Sequence, residues 1–244
     1  MTTKEISVEF DILYNNISSG AAPNLNEYEK SVFLTKAQRE LVQMYYSGKN
    51  AHYNSFESDE EVRRYLDTLI TDHDYQLSNA QSYGRFNWYR VTKPNDVMYV
   101  IREMAENASN SCLNGTLVQV LPIRHEDLNR VLFDPFKRPN SRKILRYDNT
   151  ENGDVYFNLL STDTLSKYTL TYLRQPKPII LTNLLSFGGT AMNPEYTIDN
   201  EYNESAPEIP ESLQHKVIAR AVELAKVCYV GDLNSTFAIN TRDL

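Results

Sequence analysis

The sequence predicts an α+β fold, with a helical body built from the N- and C-terminal helices and a central β-rich insert. Three observations predict it. Apolar residues recur at three- and four-residue spacings near both chain ends. From about Ser82 the composition turns aromatic and β-branched, which favours strands. Asn-Gly pairs at 114–115 and 152–153 supply hairpin signals within that stretch. The expected organisation is therefore residues 1–83 with 207–230 as the helical body and 84–181 as the insert. Residues 182–206 form a long loop or arm, and 231–244 an extended C-terminal tail.

Ile6, Phe10, Leu13 and Ile17, at spacings of four, three and four, place one apolar face on a first helix, which Ser18 to Pro23 breaks. A second run begins near Asn26. Thr35-Lys36-Ala37-Gln38 has the form of a capping box, followed by Ala37, Leu41, Met44 and Tyr45 until Ser47-Gly48. Ser58-Asp59-Glu60-Glu61 opens a third helix with Val62, Tyr65, Leu66, Leu69 and Ile70 as its stripe. Phe86–Val91 and Val97–Ile101 suit strands. The run to Ala108 contains good helix formers, but the strand reading is preferred.

Thr116–Leu121 follows the first Asn-Gly as a strand. A short helix spans Glu126–Phe133 and stops at Asp134-Pro135. Lys143–Tyr147 and Asp154–Leu160 form the second hairpin, and Tyr168–Leu173 a further strand before Pro176 and Pro178. Few apolar residues occupy 182–206, and loops of that length usually have a job or are disordered. The strongest helix starts at Glu208-Ile209-Pro210-Glu211. Its charges at Lys216, Arg220, Glu223 and Lys226 form one stripe, so most of its girth is apolar and buried, Cys228 included.

The chain has 244 residues with a formal net charge of −7, which argues against a general nucleic-acid coat. No stretch approaches the about 20 apolar residues of a membrane span. The acids in Met1–Phe10 do not suit a signal peptide, and two cysteines make no disulfide framework, so folding in a reducing cytoplasm is expected. Glycines number 8 and tyrosines 17. Few glycines disfavour phosphate-cradling loops, and many tyrosines suit protein-contact surfaces.

Charge is unevenly spread. Residues 84–146 carry 11 basic and 6 acidic residues, while 1–83 and 147–244 each carry 7 basic and 13 acidic. The basic middle holds Arg124, Arg130, Lys137, Arg138, Arg142, Lys143 and Arg146. It suits head-to-tail contact with the acidic ends of a neighbouring copy. Nucleic-acid contact is the alternative, with Trp88, Tyr89 and Tyr99 as stacking partners, and an ordinary solvated surface is a third.

Catalytic signals are absent. His52, His73, His125 and His215 lie in no metal-ligand spacing, and Asp72-His73-Asp74 is better read as a helix end than a metal site. Glu60-Glu61 and Glu126-Asp127 sit at helix starts, where the helix dipole accounts for them. Cys112 has no histidine near it, and no nucleophile-elbow, dinucleotide or Walker motif occurs. No catalytic residue, cofactor or metal is expected. A helix-turn-helix reading of the N-terminal helices fails on spacing and on charge.

Phe10–Ile17, Phe33–Gln38 and the Phe56-Glu57 entry to a capped helix resemble the N-terminal part of ring proteins in crAss-like bacteriophages. The resemblance continues through the central Leu121-Pro122-Ile123, Asp134–Pro139 and Tyr172–Leu181 and the final Ile209–Leu213 and Ala219–Ala225, so it spans nearly the whole chain. The last element also resembles the C-terminal helix of head-to-tail adaptor proteins of short-tailed phages. The resemblance implies a non-enzymatic virion protein of the tail or neck, made in the host bacterial cytoplasm. It further implies a cyclic homo-oligomer of the portal's order, a dodecamer. The implied neighbours are the portal and an adjoining tail ring, with DNA passing through the lumen without specific binding and no membrane partner. Interface candidates are the seven basic residues above with Asp232, Phe237 and Leu244 of the tail, which is expected to order only against a neighbour.

Overall fold

The computed structural model describes residues 1–17, 24–49, 55–78, 80–108, 114–191 and 193–230. The chain divides into two units: Met1–Leu69 with Gln175–Leu244, and Ile70–Arg174. The break after the first helix, His52, Cys112 and the tail from Gly231 onward lie outside the described residues.

The second unit is a curled mixed sheet of eight strands: β1 (Ile70–Gln76), β2 (Gln81–Tyr83), β3 (Phe86–Thr92), β4 (Val97–Asn107), β5 (Leu117–Pro122), β6 (Ile144–Glu151), β7 (Asp154–Ser161) and β8 (Leu165–Arg174). Their order across the sheet is β1-β8-β4-β5-β6-β7-β3-β2. The expectation of a helical body carrying an insert is thereby overturned. The largest single element is this sheet, and the chain as a whole is β-rich. Part of the error lies at Ile70. The expected stripe of the third helix runs through Leu69 and Ile70, but that helix, α3 (Glu60–Leu66), ends within two turns and a short 3-10 turn leads into β1. Pairing with β8 along the whole of β1 overrides the local helical pattern.

Both hairpin signals find strands. Gly115 has φ +73° beside the β4–β5 pair, and the β6–β7 turn places Asn152 and Gly153 at φ 55° and 94°, the left-handed geometry of a tight two-residue turn. The 97–108 run is strand over Val97–Asn107, as preferred. Asp72-His73-Asp74 lies on the edge strand β1 rather than at a helix end. Asp72 and Asp74 accept hydrogen bonds from Thr171 (2.5 Å) and Thr169 (2.7 Å) directly opposite on β8. His73 alternates to the other face. Exposed carboxylates on an edge strand also discourage edge-to-edge aggregation.

One pair breaks the antiparallel rule. β5 and β6 run parallel, with Val120, Leu121 and Pro122 opposite Ile144, Leu145 and Arg146. Parallel neighbours need a long crossover, and residues 123–143 supply it, including the short helix α4 (Leu128–Phe133). The sheet has an apolar cluster on each face. Tyr89, Val118, Ile144, Phe157, Leu159 and Tyr168 belong to one; Phe86, Leu145, Tyr147 and Leu160 pack with Leu128 and Val131 of α4 in the other.

In the first unit, α1 (Thr3–Ile17), α2 (Glu27–Ser47) and α5 (Glu211–Val230) pack together. Helix α1 buries Ile6, Phe10 and Tyr14. Helix α2 is capped not at Thr35 but at Asn26, through a reciprocal pair with Glu29. Thr35 instead lies inside a buried polar row, Ser31, Thr35 and Gln38, which holds an extended segment. Thr35 Oγ1 accepts from Ile179 N–H (3.0 Å) and donates to its carbonyl (3.3 Å). Ser31 Oγ accepts from Leu181 N–H (3.0 Å), and Gln38 Nε2 donates to Lys177 O (3.0 Å). The 182–206 stretch is packed chain, with Leu184 and Ile198 buried beside Ile180. Cys228, expected in the core of α5, is exposed.

Thr35→Val keeps the volume but strands both backbone groups of Ile179, so denaturant unfolding of the full chain should show a loss of about 2–3 kcal/mol. Burial, joined by the charge of Asp96, pushes the phenols of Tyr75 and Tyr172 up to about 12, and burial with Glu103 raises Tyr168 further. A raised folded pKa gives stability that is complete below about pH 10 and lost above it. Tyrosinate absorbance should therefore show these three phenols still protonated near pH 11, and ionising only as the sheet unfolds.

Candidate assembly interface

The crossover 123–143 carries six of the seven basic interface candidates. Its path begins with Ile123 N–H donating to Arg146 O (2.7 Å), then a 3-10 turn and α4. Helix α4 turns Leu128 and Val131 to the sheet, which leaves its last residue on the solvent side. Asp134 closes the turn, with Phe136 N–H donating to its carboxylate (2.9 Å) and Lys137 and Arg138 N–H to its carbonyl. Phe133 and Phe136 are consequently held outward at 86% and 92% exposure. Tyr83, Arg85 and Phe86 line a shallow groove beside them with Asn129, Leu132 and Phe133.

Around these rings Arg124, Arg130, Lys137 and Arg142 are exposed, and Arg138 and Lys143 half-buried. Arg130 and Lys137 have weak local ion pairs with Asp127 (2.8 Å) and Asp134 (3.7 Å); exposed pairs of this sort contribute little. Lys143 Nζ donates to Lys137 O (2.8 Å), tying the end of the crossover to its middle. Arg146 differs from the other six. It is buried on β6, 2.5 Å from Glu103 of β4 and 3.2 Å from Asp148, with its guanidinium over Phe157. Tyr168 also donates to Glu103 (2.6 Å). Burial pushes the Glu103 carboxyl above the usual carboxylate range, and Arg146 opposes that shift. Asp232, Phe237 and Leu244 lie outside the described residues.

Two of the three stacking partners named for nucleic acid, Tyr89 and Trp88, are poorly placed for it, and Tyr99 is half-buried. Tyr89 is buried, its hydroxyl accepting from Leu165 N–H (2.8 Å), and Arg90 covers the Trp88 ring at 5.2 Å.

Charge makes the basic residues legible in the sequence, whereas the two phenylalanines are not among the expected interface residues. A signal was present: Phe136 sits between Pro135 and Pro139 in a charged stretch with no apolar period to bury it.

The family model described as phage tail ring protein 3/4 matches residues 1–236. A protein of Bacteroides phage crAss001 named ring protein 4/5 is 35% identical over 248 aligned positions, covering 99% of this chain and 99% of its own. Ring protein 3 of the same phage is also 35% identical, over 236 positions, with 92% of this chain and 95% of its own covered.

Because Phe133 and Phe136 bury almost nothing within the chain, the double variant F133S/F136S should unfold within about 0.5 kcal/mol of the parent in a denaturant titration. A larger loss would show that the two rings hold the fold.

Proposed function

Because the chain belongs to the phage tail ring protein 3/4 family, we propose that it forms a ring in the neck or tail of a short-tailed phage. This ring joins the portal to the rest of the tail, and its subunit serves as structure without catalysis. The ring is a dodecamer matched to the portal, assembled in the host bacterial cytoplasm and retained in the virion beside an adjoining ring. DNA slides through its lumen unbound, because a net charge of −7 repels phosphate more than it grips it.

The observation that carries this reading is the outward-facing aromatic pair Phe133 and Phe136 on a basic crossover. An isolated soluble subunit has no use for two nearly bare phenylalanines, whereas a subunit with lateral or axial neighbours does. Residues 231–244, with Asp232, Phe237 and Leu244, are proposed to settle on a neighbour when the ring closes.

Native mass measurement and electron microscopy of the purified chain, alone and with the portal protein, test the proposal. The expected outcome is a closed ring of the portal's order. A chain that stays single at every concentration, ignores the portal and is missing from virions would overturn it.

A further inference from the structure

Among the described residues, five large apolar side chains are more than half exposed: Val8, Ile12, Leu117, Phe133 and Phe136. Leu117 stands by itself at the start of β5. The other four form two pairs, one in each unit. Val8 and Ile12, at 59% and 55%, lie one turn apart on α1, on the side opposite the buried Ile6 and Phe10. Helical spacing sets Glu5 and Asp11 on either side of them and Glu9 just beyond. Asp11 is already paired with Lys30 of α2 (2.7 Å), and Lys4 lies on the Asp11 side.

The two pairs sit in opposite electrostatic surroundings. The unit containing α1 carries 12 basic and 20 acidic residues. The crossover segment 124–143 carries 6 basic and 3 acidic. Contact of the crossover with its own image would oppose like charges, which disfavours a two-fold face. A ring made by rotation needs the reverse, two different patches that complement each other on successive copies.

We infer that the Phe133–Phe136 pair of one copy docks on the Val8–Ile12 stripe of α1 in the next copy. This inference rests on the ring reading above and names its lateral contact. The aromatic rings would cover the aliphatic stripe, and Arg130 and Lys137 would face Glu5 and the acidic surroundings of α1. Such a contact is steered by charge and held by apolar burial, so added salt slows its formation more than it weakens the finished ring.

The test uses the full chain with Cys112 and Cys228 changed to Ser. One preparation carries Ile12→Cys and another Phe136→Cys. On mixing and mild oxidation, a disulfide-linked pair is expected in the mixture and not in either preparation alone. Beside it, F133S/F136S and V8S/I12S should each weaken self-association about a hundredfold, while the combined variant is no weaker than either. Oligomers that form without the mixed disulfide, a Phe136→Cys preparation that links to itself, or doubles whose effects add would each overturn the inference and leave the ring reading standing. Absence of any self-association, with or without portal, would overturn both.

Discussion

The parallel pairing of β5 with β6 is the constraint on which the rest of the sheet unit depends. A chain leaving the end of β5 cannot turn directly into a parallel neighbour; it must travel back along the sheet first. That return is the crossover, and its composition follows from its course. Leu128 and Val131 bury against the second face of the sheet, where each apolar side chain contributes roughly 1.5–3 kcal/mol. Phe133 and Phe136 with Arg124, Arg130, Lys137 and Arg142 lie on the crossover's solvent side, while Arg138 and Lys143 are half-buried. Arg146 closes the same junction from within. Its pairing with Glu103, across β5 from β4, ties the first turn of β6 to the antiparallel half of the sheet. A buried pair of this kind is weak evidence for added stability and better evidence for a fixed register.

The acidic unit solves a different problem. Residues 177–181 are extended and, from Pro178 on, buried, yet they belong to no sheet, so their backbone groups need other partners. Ser31, Thr35 and Gln38 provide them from one side of α2. Hydroxyl residues within a helix usually compete with its own backbone; here they serve as a rail for a second segment. Buried charges are matched in the same unit. Lys30 reaches Asp11 (2.7 Å) on α1 and Glu27 (3.0 Å), and Arg220 of α5 reaches Glu40 of α2 (2.9 Å). Three helices are thereby joined through polar contacts as well as apolar ones. With its inner polar groups paired, α1 can leave two aliphatic residues facing water at small cost.

Separation of charge between the chain's parts has a consequence for assembly. Opposite fields on two patches of one molecule raise the rate at which copies meet in the correct orientation. Surplus acid over the rest of the surface keeps phosphate at a distance. In the proposed ring with DNA in its lumen these two demands would be compatible, because attraction is confined to the crossover and repulsion is general.

Local patterns in the sequence determined much of the element map. The helical run from near Asn26, the helix entry at Ser58–Glu61, the two Asn-Gly turns, the strand character of Val97–Asn107 and the apolar girth of α5 all depend on neighbours within a few residues, and such neighbours are visible in a linear chain. The cap of α2 nonetheless falls at Asn26 and not at Thr35. The basic middle was likewise legible, because charge needs only counting. Long-range pairing decided the rest. Ile70–Gln76 became an edge strand because β8 lies beside it, and Thr35 became a rail because Ile179 runs past it. Arg146 was drawn inside by Glu103, while Phe133 and Phe136 were left outside because the sheet beneath α4 was already covered by Leu128 and Val131. The architecture turned from a helical body with an insert into a dominant mixed sheet for the same reason: strand partners are chosen across the chain, and no window of sequence contains them.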